Sequence, residues 1–226
     1  MCGVVVMTVN YTAFFFTKAP TGHGWTGDYD RLAYIFCASA YKHNITPIHI
    51  HLPDDKLICP SHFTYNPIGV SGLVYIRELA YLSFLKKFDH EVVLCDIDQV
   101  FVRTISSIKE GFAARLVNRI HDQASFNGPR IVNKGAIPIL QGTVQRMEMM
   151  ADEYKRWDGD SLAFADSVRE AMYKGTKVEF VPEYQYNSRP SLFLKPVNEL
   201  KPFMFHFKGK EGKQEMIDYG KKVGLI

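Results

Sequence analysis

The chain has 226 residues, 46% hydrophobic and 23% charged, enough apolar material for a sizeable core and too much for wholesale disorder. A net charge of +3 is too small to indicate a general nucleic-acid binder and fits an enzyme with a local pocket for anions. One domain spanning residues 1–226 is expected. The four cysteines, Cys2, Cys37, Cys59 and Cys95, are widely spaced without a Cys-x-x-Cys pair, so they read as free thiols of a reducing compartment, the cytoplasm. No run reaches the ~18 apolar residues of a membrane span.

In chain order, residues 4–9 read as a first strand and not a signal peptide, because no basic segment precedes them. Thr8, Asn10 and Tyr11 at its end offer hydroxyl, amide and aromatic groups that suit a nucleotide base; an ordinary turn would carry them too. Residues 17–28, rich in Gly, Thr and Pro, form a loop containing Lys18 and His23. Asp28 or Asp30 caps a helix reaching to about Lys42, with Leu32, Ile35 and Phe36 on its apolar face. Residues 45–52 alternate as a strand whose His49 and His51 lack a third ligand nearby and read as a solvated edge. Residues 71–88 predict a long helix, in which Arg77 is a lone cation among apolar neighbours. It either snorkels to the surface or pairs with a ligand's phosphate or base.

Residues 91–103 read Glu-Val-Val-Leu-Cys-Asp-Ile-Asp-Gln-Val-Phe-Val-Arg. Four apolar residues deliver Asp96 and Asp98, and Val100, Phe101 and Val102 resume the pattern. Such a run predicts a strand buried on both faces of a mainly parallel sheet. Carboxylates at its carboxyl end can converge on one divalent cation, in the place where open α/β sheets bind ligands. The plainer alternative is a strand that ends in solvent.

Further along, residues 112–117 predict a strand, 118–127 a polar loop, and 131–140 another strand in which Gly135 permits close backbone approach. Helices follow over 144–156 and 161–173, the second capped by Asp160, then a strand over 177–181 and an aromatic loop over 182–190. Residues 203–207 form a last strand that runs into the loop Lys208-Gly209-Lys210-Glu211-Gly212-Lys213. His206 with the two aspartates makes a donor set suited to Mn²⁺, and the lysines and glycine amides suit a diphosphate on the same metal.

Taken in this order, Asp96-Ile97-Asp98, the Asn133-Lys134-Gly135 strand, an acidic helix start and His206-Phe207-Lys208-Gly209 resemble the GT-A-fold nucleotide-sugar glycosyltransferases, most closely the glycogenin- and galactinol-synthase-like retaining enzymes. The resemblance implies a Rossmann-like, mixed but mainly parallel sheet flanked by helices. It also implies a UDP-sugar donor, Mn²⁺ or Mg²⁺ as cofactor, and a hydroxyl acceptor. Carried over, Asp96, Asp98 and His206 are the metal ligands. Thr8, Asn10, Tyr11 and Arg77 match nucleotide-binding positions, Asn133 and Gly135 the sugar-facing strand, and Asp160 the acid near the donor sugar. Lys208, Gly209, Lys210 and Lys213 face the diphosphate. The chain departs from the family where His-x-x-Gly-x-x-Lys would place lysine at 212: Gly212 stands there, with Lys213 one position later. The helix start reads Asp158-Gly159-Asp160 in place of the usual Asp-Gln, and the tryptophan and proline usual after the lysine are absent.

Two other classes share parts of this pattern. A haloacid-dehalogenase-like phosphatase also ends an apolar strand in Asp-x-Asp, with Asp96 as nucleophile, and leaves the terminal His-Phe-x-Gly unexplained. A non-enzymatic nucleotide-sugar or nucleic-acid binder is the third class. The basic segment holding Arg115, Arg119, His121, Arg130 and Lys134 suggests an anionic acceptor, a hydroxymethylated base in DNA among the candidates. Phe126, Tyr184 and Tyr186 would stack on that base; glycan and protein acceptors stand beside it.

Overall fold

The computed structural model describes residues 10–14, 29–43, 48–51, 70–87, 89–118, 128–150, 159–187 and 202–226. Eight strands are defined among them: β1 (Asn10–Phe14), β2 (Ile48–His51), β3 (Val92–Asp96), β4 (Gln99–Phe101), β5 (Ala114–Asn118), β6 (Arg130–Val132), β7 (Val178–Pro182) and β8 (Met204–His206). Six build one sheet in the order β2-β1-β3-β6-β5-β7, while β4 and β8 form a separate antiparallel ribbon. Within the six, β6 alone runs against its neighbours, so the sheet is mixed but mainly parallel, as expected.

Helices cover both faces. Val93 and Cys95 of β3 join a core with Leu32, Ile35 and Phe36 of α1 (Tyr29–Lys42). Val92 and Leu94 face the other way, into a core shared with Val74, Ile76 and Leu85 of α2 (Val70–Lys87). The unbroken apolar run of β3 follows from this: a strand covered on both sides gains from apolar residues at every position. Among the described strands, β2, which carries His49 and His51, is an outer strand of the sheet.

Some sequence expectations fall outside the described residues, and others need correction. The first strand described is Asn10–Phe14; residues 4–9, with Thr8, lie outside the described residues, as do Lys18 and His23. Residues 137–140 are not strand but the start of α3 (Ile137–Met149), after a short 3-10 turn over Lys134–Ala136. Ile139, Leu140, Thr143, Val144 and Met147 are buried at helical spacing, and Pro138 is tolerated because the first turn needs no N–H there. Asp160 stands inside the first turn of α4 (Gly159–Tyr173). The aromatic loop opens with a short helix, α5 (Glu183–Tyr186).

The largest correction concerns the terminal glycine-lysine segment, which is a helix, α6 (Gly209–Lys222), and not a loop. Gly212, Lys213, Met216, Ile217 and Gly220 are its buried positions, a helical stripe that two glycines disguise in the sequence. Gly209 has φ 74°, the left-handed region in which glycine carries no penalty. Gly212 lies against the preceding strand, where an added Cβ would stand 2.5 Å from the Phe207 carbonyl carbon. Gly212→Ala is therefore expected to cost about 1–3 kcal/mol through overpacking, read as a lowered denaturation midpoint at unchanged slope.

Candidate functional site

Asp96 ends β3, and a tight turn through Ile97 and Asp98 leads into β4. The Asp96 amide donates to Gln99 Oε1 at 3.3 Å, which fixes that turn. The β4–β8 register sets Gln99 opposite His206, and the Phe207 amide donates to the Asp98 carbonyl at 2.8 Å. Sequence-distant His206 is thereby fastened beside the aspartates. One ligand atom each of Asp96, Asp98 and His206 lie within 4.8 Å of one another. His206 Nε2 is 3.1 Å from Asp98 Oδ1 and 3.8 Å from Asp96 Oδ2. Two carboxylates and an imidazole, converging where the chain leaves a buried strand, suit a divalent cation that accepts oxygen and nitrogen.

Cations flank the aspartates on both sides. Arg77 of α2 donates from one nitrogen to Asp96 Oδ1 at 3.1 Å and from the other to Asp160 Oδ2 and, at 3.3 Å, to Glu78 Oε1. Burial would lower its pKa, but the carboxylates of Asp96, Asp160 and Glu78 more than offset this and raise it well above the ordinary value. Glu78, fully buried, also accepts from Arg130 at 2.5 Å, and Arg130 lies over the Phe164 ring at 3.8 Å from its centroid. Burial raises the Asp160 carboxyl against the pull of Arg77. On the other side Lys213 reaches out of α6 and donates to Asp98 Oδ2 at 3.3 Å with its side chain 6% exposed. The lysine that stands one position late in the motif is thus the one at the aspartates. Lys210 is exposed, and Lys208 caps α6 from outside its first turn.

Other expected residues fall elsewhere. Asn10 pairs with Val92 and Phe14 with Asp96, so Asn10 and Tyr11 occupy the beginning of β1, away from the end that carries Asp96. Asn133 and Gly135 are displaced for a similar reason. Strand β6 is antiparallel to β3 and sets Arg130 opposite Leu94 and Val132 opposite Val92, so the chain leaves it at the far end of the sheet. There the Asn133 side chain caps the 3-10 turn, donating to Phe112 O at 2.7 Å and accepting from the Gly135 amide at 2.9 Å. Among the described residues, the basic ones of this segment do not gather. Arg115 binds Glu179 at 2.8 Å, Arg130 binds Glu78, and Lys134 binds Asp89. Arg119, His121 and Phe126 lie outside the described residues. Tyr186 is buried and stacked on Phe203 at 4.9 Å, which removes it as a platform for a base.

Three partners of the site had no signal in the sequence. Glu78 joins two arginines, Gln99 holds the turn, and Asn187 Oδ1 lies 2.7 Å from His206 Nδ1. An amide inside an aromatic segment has no motif of its own; only the fold sets it beside the histidine.

No protein-family model and no curated protein matches the sequence. By fold the chain is similar to the crystal structure of a glycosyltransferase involved in the glycosylation of the major capsid of PBCV-1. The TM-score is 0.60 at 10% identity, over 94% of this chain and 98% of that one. At such identity the likeness is one of fold, and it matches the helix-flanked mixed sheet described above.

Burial alone would raise the Asp98 carboxyl, but the charges of His206 and Lys213 and their hydrogen bonds hold it well below the carboxylate range. A depressed carboxylate stabilises the fold above its unfolded pKa, about 3.9, and loses that contribution as pH falls toward the lower folded value. In metal-free protein, Asp98→Asn should cost about 3 kcal/mol at pH 7 by leaving Lys213 buried without its anion. The gap to wild type should narrow only below about pH 3.9, as denaturant melts at stepped pH will show.

Proposed function

We propose that the protein is a metal-dependent glycosyltransferase that moves a sugar from a nucleoside-diphosphate sugar, taken to be a UDP-sugar, to a hydroxyl acceptor. The convergence of Asp96, Asp98 and His206 between the half-buried Arg77 and the buried Lys213 at the carboxyl end of β3 carries this reading. A diphosphate brings several negative charges to one place, and this end of the sheet holds counter-charges in reserve. Asp96, Asp98 and His206 would hold Mn²⁺ or Mg²⁺. Once bound, the cation would act as Lewis acid toward the leaving diphosphate.

The chain's own groups supply the rest. Lys213 stands beside Asp98, positioned to add charge where the leaving group gains it. The amino end of α6, opening at Gly209, is a helix terminus of the kind whose first amides bind phosphate. Arg77 keeps one buried donor, Nε, without a hydrogen-bond partner among the described residues, which suits a ligand on that side. Asp160 shares this guanidinium with Asp96 and so belongs to the same side of the site. In the transfer, the bond from the anomeric carbon to the diphosphate oxygen breaks and a bond to the acceptor oxygen forms, the acceptor's proton leaving with it.

The order of Asp-x-Asp and His-Phe-x-Gly carries the narrower reading, a single-domain, glycogenin-like retaining enzyme. A glycan or protein hydroxyl is the acceptor proposed, because Arg115, Arg130 and Lys134 each serve a separate acidic partner and lend DNA no common surface. The phosphatase reading leaves His206 and Lys213 without a role.

A panel of nucleotide sugars with Mn²⁺ and no acceptor should show slow donor hydrolysis for one of them. By calorimetry, Asp98→Ala should abolish the Mn²⁺ dependence of UDP binding. Lys213→Ala should weaken UDP binding about tenfold, as befits a lost charge-assisted contact, while Lys210→Ala changes it little. Trapping of an aspartyl-phosphate on Asp96 would establish the phosphatase instead.

A further inference from the structure

We propose that Asn187 is the positioning residue for His206: its amide oxygen holds a proton on Nδ1, which reserves Nε2, the nitrogen beside Asp96 and Asp98, for a cation. The inference rests on the metal site proposed above and adds a residue that no motif marks.

The argument runs outward from Glu183. Asn187 is buried just after α5, with its backbone amide donating to the Glu183 carbonyl at 2.8 Å. Its side-chain Nδ2 donates to Glu183 Oε1 at 2.7 Å. A carboxylate oxygen only accepts, so the NH₂ half of the amide must face Glu183 and the oxygen must face the other way. That oxygen lies 2.7 Å from His206 Nδ1. An amide oxygen cannot donate, so the ring nitrogen carries the hydrogen. Gln99 approaches the same nitrogen with its NH₂, but at 3.4 Å, and its own oxygen is committed to the Asp96 amide. The shorter contact decides the ring's state.

The remaining nitrogen, Nε2, is the one beside Asp98 and Asp96. Without a metal that nitrogen meets Asp98 as a donor, and a cation among the three would take its lone pair while Nδ1 keeps its hydrogen. Histidine ligands of metals are commonly oriented in this way, by a partner on the far nitrogen. The arrangement is also mechanically tied. Tyr186 stacks on Phe203, and the Phe203 amide donates to the Gln185 carbonyl at 2.7 Å. The turn that carries Asn187 is thus fastened to the segment leading into His206.

The test uses Mn²⁺ alone, titrated into the full chain and read by electron paramagnetic resonance of the free ion. Asn187→Leu removes the amide at similar volume and should weaken Mn²⁺ binding about 10–100-fold, the usual effect of losing such a partner. The double variant Glu183→Gln, Asn187→Asp exchanges amide and carboxylate. It again presents an acceptor to Nδ1 and should restore most of the affinity, which a merely structural role for Asn187 would not predict. In the wild-type protein loaded with diamagnetic Zn²⁺, the ¹⁵N spectrum of His206 should show a protonated Nδ1. Unchanged Mn²⁺ affinity in a folded Asn187→Leu variant, or a ring protonated at Nε2 with Nδ1 bare, overturns the proposal. If Asn187→Leu does not fold, the wild-type ¹⁵N spectrum decides alone. Failure of the wild type to bind Mn²⁺ would overturn the metal site itself and this role with it, whereas wild-type binding that ignores Asn187 overturns only the role.

Discussion

The pairing of β4 with β8 is the constraint on which the site depends. Asp96 and Asp98 belong to mid-chain, whereas His206 and Lys213 come from its last part, and a two-stranded ribbon joins them. Its register, Gln99 to His206, leaves no freedom in where the imidazole lands. A two-stranded ribbon is marginal by itself. Here Val100, Phe101, Met204 and Phe205 are buried in the same core as Phe36 and Phe207. Hydrophobic burial therefore fixes the position of the polar groups at the site.

Charge is arranged in alternation around that frame. Arg130, Glu78, Arg77 and then the pair Asp96 and Asp160 make a chain of opposite signs, and Lys213 answers Asp98 on the other side. Taking such groups out of water is costly, and the mutual pairing offsets that cost without making the cluster a net source of stability. Its value lies in preorganisation. Charges already held in place need little rearrangement when an anionic ligand and a cation arrive together. Neighbouring Tyr81 belongs to the same scaffold, its hydroxyl donating to the Cys95 carbonyl at 2.6 Å and tying α2 to the strand that ends in Asp96.

Much of this was legible in the residues because some patterns have one physical cause. The apolar run before Asp96 could only be a strand covered on both faces, and the spacing of Leu32, Ile35 and Phe36 could only serve a helix face. The misreadings share a different origin. Glycines that permit close packing or a left-handed turn look the same in sequence as glycines of a loop, which hid α6. Pro138 was read as part of a strand although a first helical turn accepts it. The displacement of Asn133 reflects strand direction, which side-chain alternation does not record: reversing β6 exchanges its two ends while leaving its apolar face unchanged. Arg77 read as a lone cation because its partners Asp96 and Asp160 are distant in sequence and meet it only in the folded chain.

The late arrival of β8 has a consequence for synthesis. During translation β3, β4 and the arginine chain of α2 and β6 emerge well before residues 204–206, so β4 stays without its partner strand until then. A chain that stops before residue 204 contains every strand of the six-stranded sheet but lacks β8, the partner of β4. Such a chain would hold neither the imidazole nor the lysine, and of the two aspartates only Asp96 meets Arg77. Asp96, Asp98 and His206 therefore come together only once residues 204–206 have been made, which puts assembly of this cluster after synthesis of every strand of the six-stranded sheet.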